Sequence, residues 1–122
     1  MHAMPRILVL EDDEPLRLTL GDAFTIEGYD VRLCPDLSTA LEVLEIESVD
    51  VILTNVGRML GEDIDLSRIP ALKQRAPLAK IVLFTGHAQA TGLDLREFGI
   101  AAVLLKPADL EKLQAVIRNV LD

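Results

Sequence analysis

The stretch Asp50-Val51-Ile52-Leu53-Thr54-Asn55 decides the reading of this chain. Val51 to Thr54 is a short, unbroken apolar run of the kind a strand shows when it is buried on both faces. It stops at an amide. Two other runs stop at charged residues: Ile7-Leu8-Val9-Leu10 leads into Glu11-Asp12-Asp13, and Ala102-Val103-Leu104-Leu105 leads into Lys106-Pro107. In an open α/β sheet the carboxyl ends of parallel strands face one crevice. Two acids, a lysine and a central amide are therefore expected to meet there. A carboxylate in the central place is able to form an acyl-phosphate, whereas an amide is a poor nucleophile at neutral pH. The pattern is that of a phosphoryl-acceptor site without its acceptor.

Outward from these runs, strand and helix signals alternate. Strand one is Ile7 to Leu10. A helix follows to about Glu27, with Asp13 as N-cap, Pro15 in its first turn and Gly28 at C′. Its apolar stripe is Leu16, Leu20, Ala23, Phe24 and Ile26. Tyr29 to Cys34 alternates as an edge-like second strand, and Pro35-Asp36 opens a helix carrying Leu37, Ala40, Leu41, Leu44 and Ile46. Val49 to Thr54 is strand three. Gly57 to Asp63 reads as a loop, and Ile64 to Ala76 as a helix interrupted by Pro70. Lys80 to Thr85 is strand four, Ala88 to Phe98 a weak helix ending at Gly99, and Ile100 to Leu105 strand five. Ala108 to Leu121 closes the chain as a helix with Leu110, Leu113, Val116, Ile117 and Val120 on its apolar face. Five βα units with right-handed crossovers predict an α/β fold. The expected architecture is a doubly wound, flavodoxin-like three-layer sandwich on a five-stranded parallel sheet of order 2-1-3-4-5.

The 122 residues suit one domain, 1–122, with residues 1–4 as possible leader or tag. Half the residues are apolar and only 3% are aromatic, so the core is aliphatic. The net charge of −8 argues against direct nucleic-acid binding. The single Cys34 excludes an internal disulfide and fits a reducing compartment. No apolar run approaches the roughly 20 residues of a membrane span, so a cytoplasmic location is expected. No His- or Cys-rich spacing suggests zinc, and no glycine fingerprint for phosphate occurs.

These residues resemble the receiver domain of two-component response regulators (the CheY-like domain of phosphorelay signal transduction) over essentially the whole chain. The resemblance rests on Ile7 to Arg17, Ser38-Thr39-Ala40-Leu41, Asp50 to Asn55, Ile81 to Gly86 and Leu105-Lys106-Pro107, in that order and spacing. It implies that Glu11, Asp12 and the backbone carbonyl of Gly57 hold Mg²⁺. It further implies that Thr85 hydrogen-bonds a phosphoryl oxygen, that Lys106 pairs with the phosphoryl group, and that the Lys106–Pro107 bond is cis. Asn55 stands in the acceptor position. With Asn55 the acyl-phosphate is lost and metal binding is expected to weaken, so no cofactor is required.

Other departures accompany Asn55. Val56 to Asp63 lacks the usual Met-Pro-Gly loop and is about one residue longer. Arg58 adds a cation able to replace Mg²⁺ as the partner of Glu11 and Asp12. Val103 takes the place of the switch aromatic, and Ala108 follows Pro107. Lys106 is expected to bridge to Asp12. Thr54 points to the face opposite Asn55, and His87 faces solvent. Together these features predict an atypical, non-enzymatic pseudo-receiver acting through contacts with a protein partner: a sensor kinase, an output domain or another signalling protein. It is expected to be a monomer or weak homodimer, with Gln89, Asp94, Arg96, Glu97, Glu111 and Lys112 on the surface that includes the last helix. The alternatives are a receiver phosphorylated on another acid such as Asp12, or an ordinary receiver with an engineered acceptor substitution. A flavin-type ligand module on the same fold is disfavoured by the scarcity of aromatics.

Overall fold

The computed structural model describes residues 4–58 and 64–122. Among the described residues, seven strands and five α-helices form in the order β1 Arg6–Leu10, α1 Glu14–Ile26, β2 Asp30–Cys34, α2 Leu37–Ile46, β3 Val51–Thr54, β4 Gly57–Arg58, β5 Ile64–Asp65, α3 Arg68–Arg75, β6 Lys80–Thr85, α4 Leu95–Phe98, β7 Ile100–Leu105 and α5 Leu110–Leu121. A 3₁₀ turn, Ala88–Gly92, precedes α4. Five strands make one sheet of order β2-β1-β3-β6-β7, parallel throughout. Counting only these five along the chain, the order is the expected 2-1-3-4-5. β4 and β5 form a separate antiparallel ribbon.

The period of two along each strand sends alternate residues to opposite faces, and the core divides accordingly. Leu8, Leu10, Ile52, Ile81 and Leu83 pack on one side with Ala40 and Leu44 of α2 and Ile69 and Leu72 of α3. Ile7, Val9, Val51, Leu53, Val82 and Phe84 pack on the other with Leu20 and Phe24 of α1 and Leu113 and Ile117 of α5. Each fully buried leucine or phenylalanine contributes about 2 kcal/mol through removal of its apolar surface from water. These two aliphatic layers fix the sheet and hold its strand ends in register. Cys34 lies wholly inside, where burial pushes its thiol up to about 11.

Local chemistry sets the helix ends. Asp13, Asp36 and Asp109 each extend as N-caps, their carboxylates accepting from Leu16, Thr39 and Lys112 N–H groups. α1 ends as its sequence suggests. Gly28 adopts φ +98°, Gly28 N–H donates to Thr25 O, and Tyr29 N–H donates to Phe24 O. The Phe24 and Tyr29 rings meet edge-on across that turn, which is the apolar contact of a Schellman end.

Several expectations are corrected. Gly57–Arg58 is not loop but pairs with Ile64–Asp65, so the predicted helix from Ile64 contracts to Arg68–Arg75. Pro70 does not interrupt it, since it sits in the first turn, where its missing N–H has no intrahelical partner to lose. Ala88 to Phe98 is not one helix. Gly92 is a weak helix former, and Asp94 does better as a cap, accepting from Arg96 and Glu97 N–H groups, than in a helix interior. Ile26 and Ile46, grouped above with the apolar positions of their helices, are each 84% exposed at their helix ends.

Candidate functional site

Glu11, Asn55 and Lys106 each follow the last residue of a sheet strand, as the topology requires. Leu10 pairs with Thr54 in the parallel register, so Glu11 and Asn55 leave the sheet side by side. Glu11 follows the parity of Ile7 and Val9, and Asn55 that of Val51 and Leu53, so both project on the α1–α5 side. Lys106 lies beyond Leu105, at the end of β7, and its N–H donates to Thr85 O at 2.8 Å. β7 stands three strand spacings from β1, roughly 14 Å. The lysine reaches into that gap over Phe84, with Nζ 5.3 Å from the ring centroid. It then donates to Glu11 Oε1 at 2.6 Å.

The expected bridge from Lys106 to Asp12 is therefore corrected to Glu11. Glu11 is the buried acid, its side chain 4% exposed, whereas Asp12 is exposed. A buried carboxylate has lost its water and gains most from a cation. The Glu11 backbone is also fixed: its N–H donates to Cys34 O, and its carbonyl accepts from the Arg17 guanidinium.

Asn55 is bonded at both ends of its amide. Nδ2 donates to Asp12 Oδ1 at 3.0 Å and to Glu11 Oε2 at 3.3 Å. Oδ1 accepts from Arg68 Nη1 at 2.5 Å, and the same nitrogen lies 3.5 Å from the Asn55 carbonyl. The amide orientation follows from this network, because only the NH₂ end can answer carboxylates and only the oxygen can answer a guanidinium. Asp12 is held below the ordinary carboxylate range. The chief cause is a hydrogen bond shared with the Glu11 carboxyl, followed by its own backbone N–H, the Asn55 amide and the charge of Lys106, all acting against partial burial.

The remaining candidates are placed as follows. Thr85 is buried, and its hydroxyl accepts from the His87 N–H at 3.1 Å, closing the turn after β6. Thr54 is buried and donates to the Asn55 carbonyl. Gly57 opens the β4–β5 ribbon opposite Asp65. The Arg58 side chain lies outside the described residues. The Lys106–Pro107 bond is cis, and Val103 is half-buried against the α2–α3 side of the core. Asp94, Arg96, Glu97, Glu111 and Lys112 are exposed, while the Gln89 side chain is outside the described set. Sequence reasoning missed Arg68 and Phe84. For Phe84 a signal existed, since the period of two along β6 sets it on the face shared with Lys106.

The donor set bears on the metal that the resemblance implies. Glu11 Oε1 accepts Lys106, while Glu11 Oε2 accepts both Asn55 and the Asp13 N–H. Asp12 Oδ1 accepts Asn55. A hard divalent ion takes free carboxylate oxygens. Three of the four carboxylate oxygens of this pair already hold N–H donors. Among the described residues, no group of three or more His, Cys, Asp or Glu side chains is arranged to hold a metal. As arranged, the crevice does not fit Mg²⁺.

Comparison with known proteins agrees with the fold. The family described as Response regulator receiver domain matches residues 7–118. The chain belongs to that family. It is 31% identical over 123 residues to the TorCAD operon transcriptional regulatory protein TorR of Escherichia coli (strain K12), covering 97% of this chain and 51% of TorR. The chain spans about a quarter to a half of the length of the curated relatives it matches. Among solved structures, it resembles a Burkholderia pseudomallei response regulator with a phosphorylated aspartic acid, calcium ion and citrate. That likeness has 32% identity and a TM-score of 0.78, over 92% of this chain and 65% of that one. It also resembles the Vibrio cholerae chemotaxis protein CheY4, with a TM-score of 0.83 at 21% identity, over 98% of this chain and 100% of that one. The chain is thus a response-regulator receiver domain of two-component signalling, a class that works by contact with kinases and output domains.

Proposed function

We propose that this receiver signals without phosphorylation at position 55, as a pseudo-receiver read by a protein partner. One observation carries the proposal: the residue at the acceptor position is an amide, and both ends of that amide are bonded within the crevice. The roles implied for Glu11, Asp12, Gly57, Thr85 and Lys106 then change. Glu11 and Lys106 form an internal ion pair, Asp12 partners Asn55, and Thr85 holds its own turn. None of them needs a phosphoryl group or a cofactor, and the domain catalyses no reaction of its own.

Output then depends on packing around Thr85, α4 and Val103, biased by whichever protein binds, since a ligand shifts a two-state equilibrium only by its differential affinity. The partner is a sensor kinase, an output domain or another signalling protein of the cytoplasm. Any weak self-association would use the mixed-charge surface of Asp94, Arg96, Glu97, Glu111 and Lys112. The net charge of −8 favours protein over nucleic acid as the direct partner.

The test is intact-protein mass after incubation with Mg²⁺ and acetyl phosphate, for wild type and Asn55→Asp. The wild type is expected to gain nothing. A phosphoryl group on the wild type, mapped to Asp12 or any other acid, overturns the proposal. The Asn55→Asp variant reports whether the rest of the crevice still supports the family chemistry.

A further inference from the structure

We infer that Arg68 is the positioning residue that excludes a divalent cation from this crevice. It does so by holding Asn55 in the orientation that occupies Glu11 and Asp12. The inference deepens the proposed function and rests on the same reading of Asn55.

Arg68 opens α3, and its Nη1 reaches back to Asn55 Oδ1 at 2.5 Å, with the Asn55 carbonyl at 3.5 Å. A guanidinium bound at the oxygen end of an amide polarises it and turns the NH₂ end the other way. That end meets Asp12 Oδ1 at 3.0 Å and Glu11 Oε2 at 3.3 Å. The amide thus relays a positive field from α3 onto two acids in the turn between β1 and α1. Lys106 completes the arrangement on Glu11 Oε1.

The charges of the groups in contact agree with this. With both carboxyls ionised, Glu11 and Asp12 bring two negative charges, and Arg68 and Lys106 bring two positive ones, so the cluster of described side chains is neutral. A crevice with a carboxylate at position 55 and no arginine would carry three acids against one lysine, a net charge of −2 that a divalent ion would neutralise. Among the described side chains, two differences therefore separate this crevice from such a metal-binding one, and the identity of residue 55 is only one of them. Restoring the acid alone would give Arg68 a carboxylate to pair with, and the arginine would continue to compete with metal.

The experiment is Mg²⁺ titration by isothermal calorimetry of the whole chain as wild type, Arg68→Gln, Asn55→Asp and the Asn55→Asp/Arg68→Gln double variant. Glutamine keeps a hydrogen-bond donor near residue 55 while removing the charge. Circular dichroism and urea midpoints confirm that each variant is folded, and Arg68→Lys in the Asn55→Asp background serves as the conservative control. The wild type is expected to show no saturable Mg²⁺ binding. The double variant should bind at least about tenfold more tightly than Asn55→Asp alone, with Arg68→Lys restoring most of the exclusion. A purely structural arginine would change the urea midpoint and leave Mg²⁺ affinity alone. Equal affinity for Asn55→Asp and the double variant overturns the inference, as does tight Mg²⁺ binding by the wild type. The outcome is independent of acetyl phosphate labelling. A wild type that is labelled while Arg68 still governs metal affinity would defeat only the proposed function. A wild type that stays unlabelled while Arg68 has no effect on metal would defeat only the inference.

Discussion

At the amino-terminal ends of the strands, Arg6 and Arg32 hold Asp30 and Glu47. At the carboxyl-terminal ends, Lys106 and Arg68 answer Glu11, Asp12 and Asn55. The first cluster is half-buried, its paired side chains 18–32% exposed, and none of its acids is sunk as Glu11 is. Arg32 grips Glu47 with two parallel bonds of 2.6 and 2.9 Å, and its Nη1 takes Asp30 at 2.6 Å. Arg6 reaches Asp30, the Ser48 carbonyl and, through its backbone N–H, Asp50. This is a clamp that ties β1 and β2 to the turn between α2 and β3. The second cluster sinks one acid almost completely and inserts a neutral amide between its charges. Both ends of the sheet are closed by cations of the chain itself. The crevice therefore has the electrostatics of a structural clamp in the place where its family keeps a reactive site.

The comparison breaks most sharply at Lys106. Lys106→Ala should leave Glu11 buried without its cation and remove the contact with Phe84, costing about 3 kcal/mol in urea unfolding at neutral pH. A loss no larger than that of an exposed pair would mean that the two ends do not differ in kind. Arg68→Ala should cost less, about 1–2 kcal/mol, because a part-buried charged hydrogen bond goes while Asn55 keeps its two acids. Thermal or urea unfolding of this variant beside Asn55→Ala and the double variant would show coupling if the amide relays the arginine's charge.

Arg32→Ala should have the smallest effect at neutral pH, and the effect should shrink further with added salt, because ion pairs that keep about a third of their side-chain surface in solvent are partly screened. Its pH dependence sharpens the contrast. The Arg6 and Arg32 guanidiniums hold Asp30 below the usual carboxylate range, and Arg32 does the same for Glu47. A depressed carboxylate contributes stability that is fully present above the ordinary carboxylate pKa of about 4 and is lost as pH falls through the lower folded value. The wild type should therefore lose stability below about pH 4, and Arg32→Ala should show a shallower acid limb in urea midpoints measured against pH. An unchanged acid limb would remove the amino-terminal clamp as a contributor.

Much of this was legible in the chain. The apolar runs and the residues ending them fixed the sheet and predicted that Glu11, Asn55 and Lys106 would converge, because register and parity follow from backbone geometry alone. Asp13, Asp36 and Gly28 announced their caps for equally local reasons. The choice between Glu11 and Asp12 as partner of Lys106 was not legible, since it depends on which acid is desolvated, and burial is a property of packing. Arg68 was hidden for a different reason. Its reach to Asn55 depends on where α3 starts, and the β4–β5 ribbon displaced that start from the position the helical pattern suggested. Arg58 drew attention because it is near Asn55 in sequence, and its side chain lies outside the described residues; among those described, a cation at the amide comes thirteen residues after Asn55. The break within Ala88 to Phe98 had a local signal in Gly92 and Asp94, a weak helix former and a capping residue, inside the stretch read as one weak helix.

The central claim is that this crevice is complete without metal or phosphoryl group. The direct measurement is the backbone and side-chain amide spectrum of the wild type by NMR, recorded alone, with Mg²⁺, and with Mg²⁺ and acetyl phosphate. The account predicts an Asn55 side-chain NH₂ pair that stays unshifted, with no localised change at Glu11, Asp12, Gly57, Thr85 or Lys106 under any condition. Saturable shifts confined to those residues, or a new phosphoryl-dependent set of resonances, would contradict it.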